Sequence, residues 1–366
     1  MTCRLTTTLL LLGATTVACA GPPATDSTSS LPGTLRNAEV AIDSNEIDAP
    51  LVYLAGRIDA DQAARLRAAA PNVELIDGLD RESALEYAAS AHGADAHLLT
   101  DGFLERAERL RWVQSWSAGV ARYLEMPALV EDPDLVMTNA KGVHGPVISE
   151  HVFALLLSLT RRLDRYAVNQ ERGEWQREAA EPWELSGRTM LVAGLGGIGR
   201  EVARRAAGFD MRVIGTVRTA REAPDFVDLL VTGERTDEFL PEADVLVICL
   251  PLTDETAGFF DARRLDLLPD HAVVINIARG GLLDTNALVA ALEEGRLAGA
   301  GLDVTDPEPL PADHPLWQAP NVRITPHVAG RADLTGERRN ALLVENMRRF
   351  GAGEPLLNVV DRAAGY

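Results

Sequence analysis

Gly194, Gly196 and Gly199 fall in the string Gly194-Leu195-Gly196-Gly197-Ile198-Gly199, directly after the apolar run Met190–Ala193 and before the helix-forming stretch Arg200–Ala207. Strand, glycine turn and helix in that order make a device for holding phosphates. Gly194 permits the tight turn, Gly196 lets a pyrophosphate approach the backbone, and Gly199 lets helix and strand pack closely. The anion then rests on the unpaired N–H groups and positive end of the helix. Gly197 and Ile198 complete the loop. In such a unit the next strand ends in an acid when a free ribose 2′-hydroxyl is bound. Here Ile214-Gly215-Thr216-Val217-Arg218 has Val217 in that place and Arg218 beside it. Loss of the carboxylate and gain of a guanidinium suit a 2′-phosphate, so NADP(H) is favoured over NAD(H). Leu250, Pro251, Thr256 and Ala278 follow later strands and are expected to line the same cleft.

The elements that must position this loop read as alternating strands and helices. LVYLA (51–55), VELI (73–76), AHLLT (96–100), RWVQSW (111–116) and LVMTN (135–139) are expected strands. Helices are expected over 59–70 and 81–92. A long helix opens at Gly145-Pro146 and runs to about residue 162. A second series follows: MLVAG (190–194), MRVIG (211–215), VDLLV (227–231), DVLVICL (244–250), AVVINIA (272–278), AGAGLDV (298–304) and VRITPH (322–327). Alternation of this kind builds parallel sheets covered by helices on both faces. The expectation is an α/β protein of two doubly wound, Rossmann-like domains with a cleft between them. Residues 49–142 and 329–366 would form one domain, 143–328 the dinucleotide-binding one. The stretch 334–350 reads as a helix folding back onto the first unit.

Composition narrows the partners. The 366 residues carry 35 basic against 54 acidic side chains, a formal charge of −19, which repels nucleic acid and anionic lipid. An anionic substrate therefore needs a local positive site. Lys141 is the only lysine, so Schiff-base chemistry would have to use it. Cys249 sits in an apolar strand and reads as a small buried hydrophobe. With no CxxC, no Cys/His cluster and no HExxH, nothing points to a metal.

The first residues have another character. Arg4, the run Leu5–Ala18 and the small residues Ala18-Cys19-Ala20 match a secretory signal over 1–19, too short for a permanent span. Thr16-Val17-Ala18-Cys19 resembles a lipobox, with Cys19 as the lipidated residue, although Thr16 replaces the usual leucine. Residues 20–48, rich in Pro, Ser and Thr, read as a flexible tether. Export as a membrane-anchored lipoprotein is the expectation, and a cytoplasmic protein with a mis-assigned start the alternative. Nicotinamide cofactors are cytoplasmic, and no twin arginine offers export of a loaded enzyme.

Six motifs in order, LRWVQSWSAGV (110–120), NAKGVHGPVISEH (139–151), GLGGIGREVA (194–203), INIARGGLLD (275–284), GLDVTDPEPLP (301–311) and ITPHVAG (324–330), resemble the D-isomer-specific 2-hydroxyacid dehydrogenases over about residues 50–366. The resemblance implies hydride transfer between NAD(P)H and a small 2-oxo or 2-hydroxy acid of the glyoxylate or hydroxypyruvate class, in a homodimer. Arg279 follows an apolar strand, at the edge where ligands bind in open sheets, and its planar fork suits a carboxylate and a keto oxygen. His327 stands at a similar edge and can give the proton an alkoxide needs. By the resemblance, Glu308 holds that imidazole and Asp303 contacts the nicotinamide carboxamide. The backbone N–H groups of Ser117, Ala118, Gly119 and Val120 would cup the substrate carboxylate. The family's aspartate after that valine is here Ala121. Trp116 suits pocket and packing equally. His144 and His151 belong to the hinge motif and read as structural, and His92, His97, His271 and His314 have no evident partner. The rival reading is a dinucleotide-responsive, corepressor-like binding module without turnover.

Overall fold

Val245–Ile248 shows in four residues why the chain folds as it does. Successive strand side chains point to opposite faces, so Val245 and Val247 enter one apolar cluster and Leu246 and Ile248 another, all fully buried. Strands buried on both faces read as continuous apolar runs and need helices on each side. The computed structural model describes residues 50–177 and 181–362. The expected signal, tether and Cys19 lie outside them.

The first sheet holds β1 (Leu51–Leu54), β2 (Val73–Ile76), β3 (Gly93–Asp95), β4 (Trp112–Gln114) and β5 (Val136–Thr138), all parallel in the order β2-β1-β3-β4-β5. Between them run α1 (Ala60–Ala69), α2 (Arg81–Tyr87), α3 (Asp101–Leu104), α4 (Ala121–Leu124) and α5 (Pro127–Glu131). The chain then enters α6 (Gly145–Thr160) and α7 (Leu163–Glu171). The second, seven-stranded sheet comprises β6 (Thr189–Ala193), β7 (Arg212–Val217), β8 (Leu229–Thr232), β9 (Val245–Ile248), β10 (Val273–Asn276), β11 (Gly299–Leu302) and β12 (Val322–Ile324). Its order is β12-β11-β10-β9-β6-β7-β8, again parallel throughout. Its helices are α8 (Gly197–Gly208), α9 (Thr236–Phe239), α10 (Ala262–Leu265) and α11 (Thr285–Glu293). Order reverses between β6 and β9, the switch point where open sheets of this kind bind ligands. Finally α12 (Asp333–Ala352) returns to the first sheet. Its Leu343, Met347 and Phe350 pack with Tyr53 and Trp112, and the Trp112 indole also donates to Thr138 Oγ1 at 2.8 Å.

Three expected elements differ. Residues 96–100 are not a strand: β3 stops at Asp95, whose carboxylate accepts from Tyr53 Oη (2.8 Å) and the Gly56 N–H (2.9 Å). A 3-10 turn, Ala96–Leu98, then drives Leu98 and Leu99 into the core, so their apolarity marks a buried turn. The long helix ends at Thr160, because Arg162 adopts a left-handed conformation (φ 57) and starts α7 in a new direction. Likewise α2 stops at Tyr87, and Ala88–Ser90 is a 3-10 turn.

Candidate active site

At the switch point, Gly194 takes φ +97, and a Cβ there would lie 2.8 Å from the Cys249 carbonyl oxygen. A Cβ on Gly199 would lie 2.1 Å from the Gly194 oxygen. Only glycine fits either place. Buried Thr216, at the end of β7, holds the loop from below: its Oγ1 accepts the Gly194 N–H (2.9 Å) and its carbonyl the Leu195 N–H (2.7 Å). Gly196, the N-cap of α8, supplies no capping side chain, and nothing lies within 4 Å of where its Cβ would be. The first N–H groups of a twelve-residue helix thus face open space, as a pyrophosphate requires. Gly197 rests against Gly142, and Ile198 packs on the core. Val217 is half-buried, Arg218 is exposed, and Arg221 donates to the Leu195 carbonyl at 2.5 Å. Leu250 packs beside Gly194, and the Thr256 hydroxyl donates to the Pro251 carbonyl at 2.6 Å. Burial pushes the Cys249 thiol up to about 12, so it is inert. These residues fit a dinucleotide.

Two strands away, β10 leads into Arg279. The side chain of Asn276, buried, accepts the Ala278 N–H (3.1 Å) and donates to the Arg279 carbonyl (2.9 Å), which fixes the turn. Arg279 Nη1 donates to the Ala278 carbonyl at 2.6 Å. Its Nη2 reaches the loop after β4, 2.7 Å from where a Cβ on Gly119 would stand. The guanidinium of the second sheet thus lies on the first. On its other side, Gly280 lets the chain at Thr305 pass where a Cβ would be 2.0 Å from the Thr305 oxygen. That approach sets the start of the segment that bears Glu308.

His327 follows β12, with only β11 between it and β10, so the two strands are about 10 Å apart. Its Nδ1 lies 2.6 Å from Glu308 Oε1. A carboxylate only accepts, so Nδ1–H donates and Nε2 is left for a reacting group. Both side chains are about half exposed. His327 itself sits at φ 52, sparsely populated by non-glycine residues. Asp303 stabilises that turn. Its carbonyl accepts the His327 N–H (2.9 Å), and its carboxylate the N–H groups of Val328 and Ala329 (2.9 Å each) and the Thr325 hydroxyl (2.6 Å). Expected at the nicotinamide, Asp303 is 2 % exposed and acts as a buried tie beneath the histidine.

The first-domain loop is tied by its own side chains. The Ser117 N–H donates to Ser115 Oγ (3.2 Å) and the Gly119 N–H to Ser117 Oγ (3.3 Å), so two of the expected carboxylate donors are engaged within the loop. Asn139 Nδ2 braces it through the Ala118 carbonyl, and Val120 is buried. Trp116 packs against the core beside Tyr53 and Trp112. The histidines without evident partners have neighbours: His92 Nδ1 accepts the Val52 N–H, His271 meets Asp244 at 2.7 Å, His314 caps the Leu316 N–H, and the His97 ring covers Gly56. Among the described residues, no group of three or more His, Cys, Asp or Glu side chains could hold a metal ion.

Residues 153–329 match the model of the D-isomer specific 2-hydroxyacid dehydrogenase, NAD binding domain. A glyoxylate reductase of Pyrococcus furiosus is 35 % identical over 257 residues, 68 % of this chain and 75 % of that protein. Glyoxylate/hydroxypyruvate reductase B of Yersinia enterocolitica is 32 % identical over 324 residues, 85 % and 97 %. Among solved structures, an NADPH-dependent glyoxylate/hydroxypyruvate reductase of Sinorhizobium meliloti, in complex with NADP and sulfate, superposes with a TM-score of 0.72 at 31 % identity, covering 87 % of this chain and all of that one. A glycine cradle at the switch point and the Arg279, Glu308 and His327 constellation thus accompany similarity over most of the chain, which belongs to the D-isomer specific 2-hydroxyacid dehydrogenase family.

Proposed function

We propose that this NAD(P)-dependent oxidoreductase reduces small 2-oxo acids of the glyoxylate or hydroxypyruvate class, with NADPH preferred to NADH. The observation that carries the reading is the Arg279 guanidinium lying over the Gly119 loop, with the His327–Glu308 pair two strands away. Names of the relatives support the substrate class, and Val217 and Arg218, with Arg221 near the glycine loop, support the phosphorylated cofactor.

A bound nicotinamide dinucleotide supplies the hydride. Gly194, Gly196, Gly197 and Gly199, with the start of α8, would hold its pyrophosphate; Ile198, Leu250, Pro251, Thr256 and Ala278 would line its cleft. Arg279 pairs with the substrate carboxylate and polarises the keto oxygen. His327 gives that oxygen a proton from Nε2, while Glu308 keeps Nδ1 protonated and the ring aligned. Ala118 and its loop close the carboxylate end.

Steady-state reduction of glyoxylate and hydroxypyruvate with each cofactor tests this. Arg279→Ala and His327→Ala should each lose most turnover while NADPH binding survives. Wild-type protein without turnover on either acid would reject the substrate class, and unchanged turnover in either variant the assigned roles. Two further features belong to the same reading: a homodimer, supported by α7, which buries none of its residues, and by fully exposed Trp175; and an exported lipoprotein anchored at Cys19, to be checked by mass spectrometry of the mature N-terminus.

A further inference from the structure

Helix α6 is the first element after the chain crosses from one sheet to the other, and it touches the segment bearing His327 at two places. At its start, the His144 ring lies 3.2 Å from where a Cβ on Gly330 would be. About two turns further along, His151 Nε2 lies 2.8 Å from Thr325 Oγ1, and that hydroxyl lies 2.6 Å from Asp303 Oδ1. The protons between these three side chains have one arrangement. A carboxylate gives none, so the single Thr325 hydrogen points to Asp303, and the threonine oxygen must accept from His151. His151 therefore carries its proton on Nε2. Its second, weaker contact is with Asp303 Oδ1 itself, at 3.6 Å.

Asp303 joins this relay to the catalytic turn. The same carboxylate receives Val328 N–H and Ala329 N–H, the two donors just beyond His327, while its carbonyl receives the N–H of His327. These bonds keep His327 at φ 52, a conformation that persists in a non-glycine residue only when its surroundings hold it. Without the His151 donor, Thr325 Oγ1 is free to rotate and to withdraw its hydrogen from Asp303. The carboxylate then loses a fixed partner, and the turn a constraint.

We propose that His151 is a positioning residue: through Thr325 and Asp303 it holds the backbone turn that aims the His327 imidazole, and it does so as the Nε2-protonated tautomer. It rests on the reading of His327 as proton donor, and it adds to that reading a residue from the interdomain helix that touches neither substrate nor cofactor. An apolar residue would fill the same space, so packing alone does not explain a hydrogen-bonded histidine here.

The test compares His151→Gln, which keeps an N–H donor of similar reach, with His151→Leu, which removes it, in NADPH-dependent glyoxylate reduction. His151→Leu should lower kcat about 10- to 100-fold, the scale of a catalytic group misplaced by about 1 Å. KM and the NADPH dissociation constant should change less than about threefold, because Arg279 and the glycine loop are untouched. His151→Gln should recover kcat to within about threefold of wild type. Thr325→Val and Thr325→Ser should reproduce the loss and the recovery, and they decide the matter if His151→Leu fails to fold. Equal kcat in the Gln and Leu variants, or a loss shared equally by cofactor binding, would overturn the proposal. Nitrogen-15 NMR of the wild type reads the tautomer without turnover: a proton on Nδ1 instead of Nε2 refutes the inference even if the protein reduces glyoxylate well. Absence of turnover with an Nε2 proton in place would instead refute the assigned reaction alone.

Discussion

Replacing Gly119 by alanine asks directly whether the Arg279 guanidinium must lie where the structure has it. The new methyl carbon would stand 2.7 Å from Arg279 Nη2, whereas ordinary contact begins at 3.4 Å. Gly119 is not in the left-handed region, so alanine strains no backbone there. Arg279 Nη2 is the far end of a flexible side chain, and it gives way before the fold does. It has to retreat by about 0.7 Å, and Nη1 cannot follow without disturbing its bond to the Ala278 carbonyl. A displacement near 1 Å in a group that orients substrate costs up to about 100-fold. The expected loss in kcat/KM is therefore about 10- to 100-fold, or about 1.4–2.7 kcal/mol of transition-state stabilisation. Steady-state kinetics with glyoxylate and NADPH, thermal melts and cofactor titration should show the loss in kcat/KM alone. Gly102→Ala, where nothing lies within 4 Å of the added carbon, serves as the neutral control. Kinetics of Gly119→Ala equal to wild type would mean that this guanidinium position is irrelevant to the reaction.

Cofactor choice should respond to the guanidinium beside Val217, the residue that replaces the usual acid: Arg218→Ala should weaken NADPH binding about tenfold or more and leave NADH binding within about twofold, measured by fluorescence titration; equal weakening of both would reject the 2′-phosphate role. Burial first, and Arg339 second, lower the pKa of His144 to about 4. The unfolded chain then takes up this proton near pH 6.5 and the folded chain only near 4, so stability is complete above pH 6.5 and declines as pH falls towards 4. Denaturant melts across that window should show His144→Asn with a shallower decline than wild type, the difference not exceeding about 3 kcal/mol; parallel curves would show that His144 does not report this burial.

Part of the architecture is legible in the amino-acid order, for a physical reason. Strand periodicity and turn chemistry are local: Met190–Ala193 followed by the glycine string states its own strand, turn and helix within ten residues. Where two local readings compete, the sequence misleads. His97-Leu98-Leu99 has a strand's apolarity, yet Asp95 is tied to Tyr53 and Gly56, residues about forty positions away, and ends the strand first. Arg162 carries no breaker's composition, and only its surroundings set its left-handed turn. The acid, base and guanidinium were identifiable because each closes a motif of recognisable spacing. Their supports were not.

By itself the sequence determined the class of fold and the glycine turn that opens α8, and it singled out Arg279, Glu308 and His327 as the candidate reacting set. The tertiary structure alone decided which side chains restrain them: Thr216 beneath the glycine loop, Arg221 on the Leu195 carbonyl, Ser115 and Ser117 knotting the substrate loop, and His151 with Thr325 and Asp303 behind the catalytic turn. The difference is one of range. Composition and spacing act over a turn or a strand, whereas His151 and Thr325 are 174 residues apart and meet only because the sheet order lays α6 beside β11 and β12.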